Sequence, residues 1–90
     1  SKIYIPNAVT PNNDGLNDIF QVRGAYISDF KLMIYNRWGE KLFETDECMK
    51  PWDCTYEGRS VETGIYFYTV LAQGSDNKRY NHKGSLHLIK

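Results

Sequence analysis

The feature that most limits the fold is the run Phe30 to Asn36, where Phe30, Leu32 and Ile34 fall on one parity and Lys31, Met33 and Tyr35 on the other. Alternation with period two belongs to a strand, whose successive side chains point to opposite faces. No stretch of ten or more residues carries helical periodicity. The other segments repeat the strand logic and are cut short by turn residues. Ile3 to Val9 alternates weakly and contains Pro6, so it reads as an edge or bulged strand. Asp18 to Arg23 reads as a second strand, with Phe20 and Val22 on one face, Ile19 and Gln21 on the other, and Gly24 at its end. Asn36-Arg37-Trp38-Gly39 is a turn and Glu40 to Thr45 the strand after it, which makes a hairpin with the Phe30 strand. Asp46 to Ser60 is irregular and includes the turn signal Tyr56-Glu57-Gly58-Arg59. Ile65 to Ala72 is aromatic and β-branched, with apolar residues on both faces, as in a central strand. After the turn Gly74-Ser75-Asp76-Asn77, a polar stretch Lys78 to Lys83 precedes a last strand, Gly84 to Ile89, with Leu86 and Leu88 on one face. Short strands at this spacing in 90 residues predict a single all-β domain, an antiparallel β-sandwich of about seven strands.

Composition enters through what it excludes. Seven Tyr, four Phe and two Trp supply enough apolar area to argue against disorder. Eleven basic and eleven acidic residues cancel, which argues against a general nucleic-acid or anionic-membrane binder, whose affinity comes from neutralising phosphates. No apolar run approaches the roughly 20 residues of a membrane-spanning helix. The chain opens on a strand-like segment with no basic-then-apolar leader, and is expected to be a domain cut from a longer protein.

The most distinctive loop chemistry lies in Thr10 to Asp18, which combines Pro11 and Gly15 with three Asn and two Asp. Pro, Gly, Asn and Asp are turn formers. Their oxygens also suit calcium, which takes six to eight oxygen ligands. Asn12, Asp14 and Gly15 fall on EF-hand loop positions, but Gln21 stands where a bidentate Glu is required and no helices flank the loop, so a true EF-hand is excluded. A looser calcium site would use Asn12, Asp14, Asn17 and Asp18; the alternative is that these side chains only cap turns. No other cofactor is indicated.

Cys48 and Cys54 are spaced C-x5-C, and no second Cys pair or neighbouring His completes a zinc set. Two thiols or one disulfide both fit; a disulfide would contribute roughly 2 kcal/mol and imply an oxidising compartment. His82 and His87 are five apart and point to opposite faces of a continuous strand, with no Ser, Cys or carboxylate pair at a catalytic spacing, so an enzyme is not expected. Trp38 is expected to pack over a neighbouring strand with Arg37 stacked nearby, Trp52 to plug the core, and Tyr66 and Tyr68 to lie in or beside it. Lys78, Arg79, His82, Lys83 and Lys90 gather near the last strand, and Glu40, Glu44, Asp46 and Glu47 after the Trp38 turn. A basic terminal strand suits an acidic receptor surface, and at a sheet edge it is open to strand addition.

Five motifs resemble one known family in the same order. Ile5-Pro6-Asn7-Ala8-Val9-Thr10-Pro11-Asn12-Asn13-Asp14-Gly15-Leu16-Asn17-Asp18 is similar to the IPNAFTPNGDGxND opening of the gliding-motility-associated C-terminal domain, the type B sorting domain of the type IX secretion system of Bacteroidetes. Ile34 to Glu40 resembles its IFNRWGE, followed by Leu42-Phe43-Glu44; Trp52-Asp53 stands where WDG is usual; Gly64 to Tyr68 resembles GxYxY; Lys83 to Lys90 resembles KGxxTLIR. Asn13 and Cys54 replace two of the family's glycines, and the joint presence of Cys48 and Cys54 points to a disulfide particular to this member.

The resemblance implies an immunoglobulin-like sandwich that works as a non-catalytic C-terminal sorting signal. It would take its N-terminal cargo domain through the periplasm to the outer-membrane secretion machinery and on to the cell surface or medium. The recognition residues expected are Arg37, Trp38, Gly39, Lys83, Gly84 and Lys90. The alternative function is a cell-surface immunoglobulin-like adhesion or carbohydrate-binding module, with Trp38 stacking on a sugar.

Overall fold

The computed structural model describes residues 1–10 and 19–89. These form nine strands: β1 (Lys2–Tyr4), β2 (Ala8–Val9), β3 (Arg23–Ala25), β4 (Ile27–Tyr35), β5 (Lys41–Thr45), β6 (Thr55–Tyr56), β7 (Arg59–Ser60), β8 (Gly64–Gly74) and β9 (Arg79–Leu88). The main sheet has the order β2-β9-β8-β4-β5, and β1-β3 and β6-β7 are separate pairs. The predicted all-β, immunoglobulin-like sandwich is what forms, with two more strands than expected. One pairing departs from the antiparallel expectation: β2 runs parallel to β9.

The alternation in β4 places the core. Phe30, Leu32 and Ile34 are buried on one face, opposite Ala72, Val70 and Tyr68 of β8. On β9, Leu86 and Leu88 extend that face, and Val9 of β2 lies beside Leu88. Phe20, Val22, Trp52, Cys54 and Tyr66 complete the buried cluster, with Ile3, Cys48 and Val61 packed against it. Trp52 is the predicted core plug. Its backbone exchanges two hydrogen bonds with Phe20, at 2.9 and 2.8 Å, and its Nε1 donates to the Thr55 carbonyl at 3.0 Å. The indole therefore buries its large apolar area without stranding its N–H. Tyr66 meets it edge-on at 6.1 Å and Phe43 lies tilted against it at 6.4 Å.

Several boundaries differ from expectation for identifiable reasons. The single strand foreseen over Ile3 to Val9 is two strands, because Pro6 lies between β1 and β2 and cannot donate to a ladder. Of the strand expected over Asp18 to Arg23, Asp18 lies outside the described residues, Phe20 forms an isolated bridge and Arg23 opens β3, so that Gly24 lies inside β3, not at a strand end. Gly24 is required there by close packing: a Cβ would meet Ile27 Cγ1 at 2.9 Å and Cys48 Sγ at 3.0 Å. The pair β6-β7 was not foreseen; each strand has two residues, and Glu57 and Gly58 between them both take positive φ. The polar stretch and the last strand are one continuous strand, β9.

Cys48 and Cys54 are not joined to each other in this structure, in contrast to the expected disulfide. Cys54 is enclosed in the core cluster, whereas Cys48 packs at its margin against Gly24. Burial raises the Cys48 thiol above its ordinary value. Cys54 sits at φ 63°, the left-handed region that favours glycine, which accounts physically for the glycine usual at this place in the family it resembles.

Candidate functional site

The Asn36–Gly39 turn closes the β4-β5 hairpin and is built to hold its tip rigid. The Asn36 N–H donates to the Glu40 carbonyl at 3.0 Å, and the Gly39 N–H to the Asn36 carbonyl at 3.0 Å. Asn36 Oδ1 accepts from the Trp38 and Glu40 N–H groups, each at 2.9 Å, and its Nδ2 donates to Glu40 Oε1 at 3.0 Å. Gly39 takes φ 82°, which closes the loop without the steric cost a side chain would bring. The three residues between Asn36 and Glu40 therefore stand out from the sheet as a fixed display.

That display corrects one expectation. Trp38 does not pack over a neighbouring strand; it is 75% exposed, with the Arg37 guanidinium stacked 4.3 Å from its ring centre. The stacking itself was anticipated. Beside it lies a small cleft of about 50 Å³ bounded by Arg37, Trp38, Glu62, Gly64, Ile65 and Tyr66. Its floor is held by Tyr66, whose hydroxyl donates to the Glu62 carbonyl at 2.5 Å. Burial raises the Tyr66 hydroxyl above its ordinary value, Glu62 adds to the rise, and Arg37 opposes it.

Ile65 carries this surface onto the outer face of the main sheet. The register places Ile65, Phe67, Thr69 and Leu71 of β8 on that face, with Met33 and Tyr35 of β4 on one side and Lys83, Ser85 and His87 of β9 on the other. Ile65, Phe67 and Leu71 are 48, 44 and 40% exposed. Large apolar side chains in a row on an open sheet face are informative, unlike the same residues scattered singly. They were missed because apolar residues on both parities of a strand read as burial on both faces. Here one parity faces the core and the other faces out.

The remaining predicted residues separate. Lys83 is exposed on the outer face of β9 and pairs with Thr69. That is four residues along from Ile65, about 13 Å at the strand rise, so Lys83 and Trp38 do not form one pocket. Gly84 points to the inner face; a Cβ there would meet Tyr68 Oη at 2.6 Å, so its role is to admit the Tyr68 ring. His82 and His87 lie on opposite faces of β9, as expected. Lys90 and the calcium candidates Asn12, Asp14, Asn17 and Asp18 fall outside the described residues. Among the described residues no three His, Cys, Asp or Glu side chains gather as metal ligands.

A family model for the CHU_C type IX secretion signal domain matches residues 3–88. No curated protein matches the sequence. Among solved structures the chain is similar to CopC from Methylosinus trichosporium OB3b, with a TM-score of 0.65, 12% identity, and coverage of 99% of this chain and 90% of that one. At that identity the likeness is one of fold alone.

Proposed function

We propose, on the premise that the chain belongs to the type IX secretion signal domain family, that it is a non-catalytic C-terminal sorting signal. It directs a cargo on its N-terminal side, after passage through the periplasm, to the outer-membrane secretion machinery. From there the cargo reaches the cell surface or the medium. The mechanism is recognition of a folded surface. The observation that carries this reading is the exposed Arg37–Trp38 stack on a turn with no slack. A tryptophan left in water forgoes a large burial gain, and tryptophan and arginine are the residues that most often anchor interfaces. Gly39 sets the turn, Ile65 extends the anchor onto the sheet face, and Lys83 adds charge farther along. Gly84 contributes through Tyr68, and Lys90 continues the basic character of the terminus.

The test is export of a periplasmic reporter fused to the domain in a Bacteroidetes host. The double variant Arg37→Ala/Trp38→Ala should lower export at least about tenfold, the scale of one lost interface anchor. Its melting temperature should stay within a few degrees of the parent, since both side chains are exposed. Full export by the folded variant contradicts the assignment of the tip. The same exposed indole beside a shallow cleft also suits the face of a sugar ring. Glycan-array binding by the domain, lost in Trp38→Ala, would favour a carbohydrate-binding module instead.

A further inference from the structure

The main sheet ends in an unequal pair. β9 has ten residues, but its outer neighbour β2 has two and covers only His87 and Leu88. The His87 N–H donates to the Asn7 carbonyl and the Ile89 N–H to the Val9 carbonyl, each at 3.0 Å, so the odd-numbered residues turn their backbone groups to this edge. The β8-β9 register runs from Gln73↔Arg79 to Gly64↔Leu88 with no shift. The alternation of an antiparallel ladder therefore turns the N–H and C=O of Arg79, Asn81, Lys83 and Ser85 to the same edge. Among the described residues no strand pairs with them. β1, which precedes β2 in the chain, lies outside this sheet and pairs with β3. The vacant track is seven residues long, from Arg79 to Ser85, or about 23 Å.

The side chains along this track carry one sign. Arg79 and Lys83 are exposed on the outer face, separated by Asn81 and followed by Ser85 and His87. No ion pair involves Arg79 or Lys83 among the described residues, whereas Lys31 and Lys41 on the far side of the sheet share Glu44. Unpaired cations on an open edge repel a second copy of the same edge. They attract a strand that brings carboxylates on its outward parity. We infer that the Arg79–Ser85 edge is a strand-addition site for an extended, acidic segment of a partner polypeptide. Backbone hydrogen bonds would supply affinity, and carboxylates spaced two or four residues apart would set the register against Arg79 and Lys83. That the partner belongs to the secretion machinery rests on the reading above; the site itself does not.

Asn81→Pro tests the site directly. The Asn81 N–H faces the vacant edge, so proline removes a donor that the native ladder does not use. The probe is a seven-residue peptide alternating Glu with Val, titrated into the intact chain, with amide exchange read residue by residue. Slowed exchange at Arg79, Asn81, Lys83 and Ser85 is expected, with no binding to Asn81→Pro. Arg79→Glu/Lys83→Glu, which leaves the backbone untouched, should weaken the Glu peptide about tenfold and favour a Lys-Val peptide instead. Equal binding of the Glu and Lys peptides to the parent, unchanged binding to Asn81→Pro, no binding of the Glu peptide, or self-association through this edge would each overturn the inference. Export of the reporter by the parent domain separates the two claims: exported cargo with no peptide binding sinks only the edge, and peptide binding without export sinks only the sorting role.

Discussion

Two residues show how a local environment sets a role that residue type alone leaves open. Gly84 follows Lys83 in a motif that invites a recognition reading, but the space where its side chain would be holds the Tyr68 ring. Gly84→Ala should therefore cost about 1–3 kcal/mol, the usual penalty for overpacking. A melting experiment should find a drop of several degrees or more, and reporter export should persist wherever the variant is folded. Glu44 is the second case. Hydrogen bonds from Lys41 first and Lys31 second hold its carboxyl below the ordinary glutamate range. A depressed folded value means that this contribution is complete above the unfolded value near pH 4.5 and fades as pH falls through the lower folded one. Melting curves of the parent and Glu44→Gln should therefore converge in acid and separate slightly at neutral pH, the parent being the more stable. A constant offset at every pH would contradict that origin, and solvent screening at this surface site keeps the effect small.

At the scale of elements, the tip turn is where local structure fixes the proposed recognition surface. Asn36 accepts or donates five hydrogen bonds within its own turn. Asn36→Ala removes the three made by its side chain, and should cost about 1–2 kcal/mol by chemical denaturation. It should also loosen the indole, seen as faster depolarisation of Trp38 fluorescence against the buried Trp52. Unchanged Trp38 mobility would mean the turn holds its shape without the cap. The longer strands were legible in the sequence: β4, β5 and β8 lie close to where the alternation of β4, the turn before β5 and the aromatic, β-branched run of β8 placed them. β9 was divided because its first half is a polar, exposed edge, and alternation fades where neither face is enclosed. The pair β6-β7 was too short to carry any period. The NRWG motif was legible, but the exposure of Trp38 was not, because tryptophan in a small domain ordinarily finds cover. The vacant edge was legible only as a general possibility. Its extent depends on how soon β2 ends, which is decided by Pro6 and by the competing pairing of β1 with β3.

For the molecule as a whole, the two sheet faces divide the work. The inner face carries the core cluster and, through Trp52 and Phe20, ties the irregular segments to it. The outer face has no cover among the described residues; it offers an apolar row, a stacked Arg–Trp tip at one end, and a basic edge along one side. This combination of a rigid interior and an unshielded exterior is what the proposed recognition role asks of a member of the secretion signal family. The most direct test places the 90-residue chain at the C-terminus of a periplasmic reporter in a Bacteroidetes host that exports a validated sorting domain. The account predicts the reporter on the cell surface or in the medium, and retention in cells lacking the type IX translocon. A reporter that stays in the periplasm of the competent host, while the validated domain carries the same reporter out, would contradict it.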